Sequence, residues 1–224
     1  KVRARTALDE VRRLKMKAAN ARGRLDPLLE IGGGLAVAHN GNISNAMKLK
    51  RDLIRRGSIF QSTSDIEVII HLVATSSYRT FVDKFIDALK QVEGAYSLIV
   101  MTPEGMIACR DPLGIRPLVM GRIGDATVFA SETVAFDVIG AEFIRSIEPG
   151  ELVQVDHKGT ISSHRPFGNP APRPCIFEHV YFSRPDSVMD GRSVYQVRKQ
   201  IARDVRSGRA VPVAQRFADS LAQP

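Results

Sequence analysis

The sequence predicts an α+β domain built in layers, and three observations carry that expectation. Helical signals are grouped before residue 94, short β segments separated by turn residues follow from Ala95, and the two kinds do not alternate one by one. Alternation would mean parallel strands joined by crossover helices, whereas blocks mean antiparallel strands covered by helices. With 224 residues, 44% of them hydrophobic, the chain can fill the core of one large domain with appendages.

Residues 7–22 have helical composition with a loose apolar stripe at Leu8, Val11, Leu14 and Ala18. Residues 35–38 read as the end of a buried strand, and Asn40-Gly41 as a dipeptide suited to a tight turn. Asn42 or Ser44 would then cap a helix over 45–56, with Met47, Leu49, Leu53 and Ile54 as its apolar face and Gly57 as its stop. The spacing of Ser64-Asp65-Ile66-Glu67 is that of a capping box ahead of an apolar run over 68–73, and Thr80 to Asp83 opens a third helix ending at Gly94. The segments AYSLIVM, MIACR, PLVMG, ATVFAS, ELVQV and TISSH then read as strands, separated by turn residues such as Pro103-Glu104-Gly105, Gly124-Asp125 and Asp156-His157-Lys158-Gly159. The prolines of RPFGNPAPRP, residues 165–174, mark a linker, after which a new unit begins near Cys175 and includes a polar helix over 193–205.

Composition narrows the function classes. The formal charge of +8 sits at the ends, because residues 1–30 hold nine Lys/Arg against four Asp/Glu and residues 198–224 hold six against two. Neither end interleaves aromatics with its basic residues, so specific nucleic-acid binding is not expected. No apolar run approaches the roughly 18 residues of a membrane span, and no secretory signal is visible, so a cytoplasmic protein without membrane contact is expected. Cys109 and Cys175 are far apart and lack CxxC spacing, which suggests neither a disulfide framework nor a self-contained metal site.

Set in order, AHNGNISNA, FQSTSDIEVIIHL, EGAYSLIVM, RDPLGIRPLVMG, FASETVAFDVIGAEFIR, EPGELV and CIFEHVYFSRPDS resemble the amidophosphoribosyltransferases over about residues 32–200. AHNGN and SDIE alone would fit any class II glutamine amidotransferase, while RDPLGIRPL followed by YFSRPDS is similar to the purine branch and disfavours asparagine- or glucosamine-forming enzymes. The resemblance implies a four-layer α-β-β-α sandwich of the N-terminal-nucleophile type, here truncated. It implies a division into a divergent basic segment over 1–30, the amidotransferase domain over 31–165, a linker and the start of a missing phosphoribosyltransferase domain over 166–200, and a basic tail over 201–224.

In that family a Cys at the first position of the mature chain attacks the glutamine amide, its own α-amino group serves as base, and a thioester forms as ammonia leaves. The resemblance assigns Asn40 and the backbone N–H of Gly41 to the oxyanion hole and Asp65 to the glutamine α-amino group. Arg3 in KVRARTA is similar to the arginine that clamps the substrate carboxylate. No nucleophilic Cys is expected in this chain, since neither Cys109 nor Cys175 can supply its own α-amine. Cys175 matches a cluster ligand of the iron–sulfur members, but its partners are not in the sequence, so no metal or cofactor is expected here; magnesium, and in some members the cluster, belong to full-length relatives. Glutamine is the implied ligand, with phosphoribosyl pyrophosphate and homo-oligomerisation confined to the full-length form. On this reading the chain as given is inactive, and the alternative is a non-catalytic amidotransferase-like binding or scaffold module.

Overall fold

The computed structural model describes residues 29–31 and 35–207; the expected helix over 7–22, Arg3 and the tail from residue 208 onward lie outside them. Antiparallel pairing builds a six-stranded sheet in the order β1 (Leu29–Ile31), β2 (Leu35–Ile43), β3 (Gly94–Thr102), β4 (Gly105–Arg110), β8 (Leu152–Asp156) and β9 (Ile161–His164). A second sheet places β5 (Val119–Ile123) between β6 (Ala126–Ala130) and β7 (Glu142–Ser146). A small hairpin of β10 (Val188–Met189) and β11 (Arg192–Ser193) leads into the C-terminal helix, α5 (Val194–Arg206).

Strand alternation sorts side chains between two cores. Tyr96, Leu98 and Val100 of β3, with Ile107 and Cys109 of β4 and Leu152 of β8, face a cluster completed by α1 (Ala46–Arg55), α2 (Ile66–Thr75) and α3 (Phe81–Leu89). Ala108, Val153 and Val155 face the other way and meet Leu118, Met120 and Ile147 beside the second sheet. Beyond that sheet lies α4 (Val134–Ile139), whose Phe136 ring sits against Gly121 of β5. The order is therefore α-β-β-α, the fourth layer among the described residues being this six-residue helix. No helix among them is long and apolar enough to cross a membrane.

Several local expectations change. Asn40-Gly41 is not a turn: β2 runs through it, with Asn40 opposite Ser97 and Gly41 opposite Tyr96. The long alternating strand β3 offers a ladder partner at every position down to Gly94, and those bonds outweigh the turn preference of the dipeptide. The chain reverses later, at Asn45, which does not cap α1 with its side chain but clamps the neighbouring loop: Nδ2 donates to Gln91 O at 2.9 Å and Oδ1 accepts from Glu93 N–H at 3.0 Å. On α1 only Leu53 is fully buried and Leu49 packs against the core, while Met47 and Ile54 point outward at 69% and 50% exposure. The capping box is also replaced, since Glu67 accepts from Gln61 N–H, Ser62 N–H and Ser62 Oγ at 2.7, 2.8 and 2.6 Å. Thr80 does cap α3 through Asp83 N–H, and that helix stops at Leu89. Strands β1 and β7, the hairpin and α4 were not anticipated.

Candidate functional site

Asn40 and Gly41 open onto a pocket of about 610 Å³ whose walls include His39, Arg116, Ser131 and Phe182. Gly41 has φ +145°, and a Cβ there would lie 2.0 Å from the carbonyl oxygen of Ala95, so the close approach of β2 to β3 admits no side chain. This is what the Asn-Gly pair supplies: an amide side chain and a bare backbone at the same edge of the pocket.

The opposite wall comes from the RDPLGIRPL loop after β4, and its shape follows from two buried charged residues. The Asp111 carboxylate accepts from the N–H groups of Leu113, Ile115 and Arg116 at 3.0, 3.1 and 3.0 Å, bending the loop around itself. The Arg110 guanidinium donates to the carbonyls of Arg116, Ile147 and Gly114 at 2.8, 2.9 and 2.9 Å, closing the loop from beneath. Gly114 takes the left-handed conformation at the bend, with Pro149 too near for a Cβ. Arg116 thereby reaches over the pocket.

There the Arg116 Nη2 donates to Asn40 Oδ1 while Nη1 pairs with Glu178 of the π-helical turn Glu178–Phe182, and the Phe182 ring lies 5.0 Å from the guanidinium carbon. Asn40 Nδ2 donates to Ser131 Oγ at 3.1 Å. Burial raises the pKa of Glu178 above the ordinary glutamate value, partly opposed by Arg116, and nearby Glu132 raises it further. Glu132 itself accepts from Arg184 N–H at 2.8 Å and Ser187 Oγ at 2.7 Å, so the segment after the proline stretch is stitched to the pocket rim.

Asp65 sits at the start of α2 and is drawn onto β2, where Oδ2 accepts from Ile43 N–H at 2.8 Å and Oδ1 lies 3.5 Å from His39 Nδ1. Burial pushes its carboxyl up, but hydrogen bonding to His39 and Ile43 together outweighs that and leaves its pKa below the usual aspartate value. Asp65 is thus beside the pocket, bound to the same strand as Asn40 through His39, and is not one of the lining residues. Arg3 lies outside the described residues.

Residues 11–138 match the glutamine amidotransferase domain family. The chain belongs to that family. It is 50% identical over 173 residues to the amidophosphoribosyltransferase of Rhizobium etli, covering 75% of this chain and 35% of that protein. To the chloroplastic amidophosphoribosyltransferase of Glycine max it is 51% identical over 168 residues, 74% of this chain and 29% of the relative. A solved structure of glutamine phosphoribosylpyrophosphate amidotransferase from B. subtilis, complexed with ADP and GMP, superposes with TM-score 0.76 at 44% identity, covering 82% of this chain and 40% of that one. The chain therefore spans about a third of the length of these curated relatives.

As an amidotransferase domain, the chain carries its two cysteines away from the pocket walls. Cys109 is fully buried in β4, where burial first, then the nearby Asp111 and Glu151 carboxylates, push its thiol far up. Cys175 is half-buried after the proline stretch. Among the described residues there is no group of three or more His, Cys, Asp or Glu that could hold a metal ion. Arg116, Ser131 and Glu178 lie within recognisable motifs, but their part in the site is not legible in the sequence, because only the fold brings them to Asn40 or to one another across 62 to 91 positions.

Proposed function

We propose that this chain is the glutamine-handling domain of an amidophosphoribosyltransferase, serving ammonia release from glutamine for phosphoribosylamine formation in purine synthesis. The observation that supports this reading most is the pocket edge itself, where the Asn40 carboxamide stands next to the bare Gly41 backbone and Asp65 is held ionised on the same strand. Glutamine would bind with its α-ammonium at Asp65 and its side-chain amide toward Asn40-Gly41. When a thiolate attacks the amide carbon, the carbonyl oxygen gains negative charge, and Asn40 Nδ2 with the Gly41 N–H would stabilise it. Collapse of that intermediate expels ammonia and leaves a thioester, which water hydrolyses to glutamate.

Neither Cys109 nor Cys175 serves as the nucleophile in this proposal, Cys109 being walled off with a raised pKa and Cys175 lying outside the pocket walls. Arg3 is proposed to hold the glutamine carboxylate. Phosphoribosyl pyrophosphate, magnesium, an iron–sulfur cluster in some relatives and homo-oligomerisation are assigned to the full-length protein, and the cytoplasm is its proposed location.

Calorimetric titration of the 224-residue chain with L-glutamine tests the reading. Saturable binding is expected, weakened at least about tenfold in Asp65→Asn, because a charged hydrogen bond is worth about 1.5–3 kcal/mol. Equal affinity in both proteins would overturn the role of Asp65, and no binding to the wild type would overturn the site. An ammonia assay accompanies it, and release above a buffer blank that Cys109→Ser or Cys175→Ser abolishes would show that the nucleophile is misassigned.

A further inference from the structure

We propose that Arg116 is a positioning residue for the oxyanion site, fixing which end of the Asn40 carboxamide faces the substrate, and that Glu178 holds Arg116 in place. The inference rests on reading the pocket as a glutamine site.

A carboxamide is nearly symmetric in shape but opposite in chemistry at its two ends. Stabilising an oxyanion requires Nδ2, and a flip of the side chain would present Oδ1 and repel the developing charge. A guanidinium has donors only, so the atom of Asn40 that meets Arg116 must be the oxygen. The other end then points Nδ2 toward Ser131 Oγ, which takes one of its two hydrogens and leaves the second for the pocket. Arg116 also polarises the amide, because withdrawing density through Oδ1 makes the Nδ2 hydrogens better donors.

Arg116 does not hold this pose alone. Its planar fork spends Nη1 on Glu178 and Nη2 on Asn40, so one rigid group spans both. Phe182, one π-helical turn after Glu178, lies against the guanidinium and restricts its swing. The Ser131 end is tied to the same segment, since the adjacent Glu132 binds Arg184 N–H and Ser187 Oγ. Both hydrogen-bond partners of the Asn40 side chain are thus anchored by residues between 178 and 187, a stretch that follows the proline-rich connection and lies past the family match ending at residue 138. That segment sets the orientation of an amide that the strand β2 alone leaves free to rotate about its last bond.

Side-chain ¹⁵N NMR of the 224-residue chain reads this directly, with the exposed Asn42, two residues away, as internal reference. In the wild type the two Nδ2 protons of Asn40 are expected as a dispersed pair that shifts again when L-glutamine is added. Arg116→Met is expected to move the pair toward the Asn42 position and to erase its response to glutamine, because Oδ1 then loses the donor that fixes the amide. Glu178→Gln is expected to move the pair the same way by less, and Arg116→Lys only part of the way, because an ammonium cannot span both partners. An Asn40 pair in Arg116→Met that superimposes on the wild type overturns the proposal. If that variant does not fold, unchanged pairs in both Glu178→Gln and Arg116→Lys overturn it instead. Absence of any glutamine response in the wild type would defeat the reading of the pocket, while the ligand-free spectra would still decide the role of Arg116.

Discussion

At the scale of single residues, Gly41 stands where β2 and β3 leave no room for a side chain. A methyl group on Gly41 would sit 2.0 Å from Ala95 O and 2.8 Å from Tyr96 Cα, both backbone atoms that can move only if β2 and β3 separate. Gly41→Ala is therefore expected to cost about 2–5 kcal/mol from combined strain and overpacking, with loss of glutamine binding. Urea denaturation checks it, and a midpoint equal to that of the wild type would mean the two strands are not in tight register here. Asp65 gives a second expectation. Its carboxyl titrates below the ordinary 3.8, so the carboxylate that would hold the glutamine ammonium persists from neutral pH down to that value. Glutamine affinity should stay flat over that range and fall only below it; a decline that begins well above that value would show that a group other than Asp65 carries the pH dependence. Both residues were legible in AHNGN and SDIE as motif members, but their geometry was not. Asn-Gly reads locally as a turn, and the Asp of a cap signature reads as a cap, because neither signal knows that β3 and Ile43 N–H wait as partners.

Among elements, β3, β4, β8 and β9 of the large sheet were legible because each is a short run bounded by turn residues of recognisable chemistry. Gly94–Thr102 and Gly105–Arg110 needed nothing more. Strand β7 escaped notice because Glu142, Phe143 and Ile144 are all exposed, so no alternation marks it, and α4 has only six residues in which to show a helical period. The start of α2 was legible in position and wrong in detail. Glu67, at the third position expected of a capping box, ignores Ser64 N–H and satisfies the loop at Gln61 and Ser62 from a nearly dry site. Burial raises its pKa, but Ser62 and the two backbone N–H groups lower it further, leaving it below the ordinary value. Glu67→Gln keeps the shape and removes the charge, so a loss of about 1–3 kcal/mol is expected. Hydrogen exchange at the Gln61 and Ser62 amides should accelerate with it, and unchanged protection there would show that the loop is held by its other contacts.

For the whole molecule the question is what keeps two sheets together, since the larger carries helices on its outer face and the smaller carries three strands. One polar staple complements the apolar layer between them. Arg145 on β7, in the small sheet, grips Glu151 with two hydrogen bonds of 2.8 Å, while Glu151 also accepts from Glu148 N–H and from Ser163 Oγ on β9 of the large sheet. Burial raises the Glu151 pKa, but these partners, Arg145 first, overcome it and bring it from 4.5 to about 2, while hydrogen bonding to Glu151 raises the pKa of Arg145 in turn. The sign follows from linkage: a folded-state pKa depressed below the unfolded one gives stability that is complete above about 4.5 and drains away as pH falls toward about 2. The most this contributes is about 3 kcal/mol, less whatever solvent screens at the one-third-exposed Arg145. Wild type and Glu151→Gln should therefore differ in urea midpoint at neutral pH, and that gap should close between pH 4.5 and 2 because protonation turns the native carboxylate into the neutral group the variant already has. A gap that stays constant down to pH 2 would assign the loss to packing at position 151 and leave the joining of the sheets to the apolar layer of Leu118, Met120, Ile147 and Val153 alone.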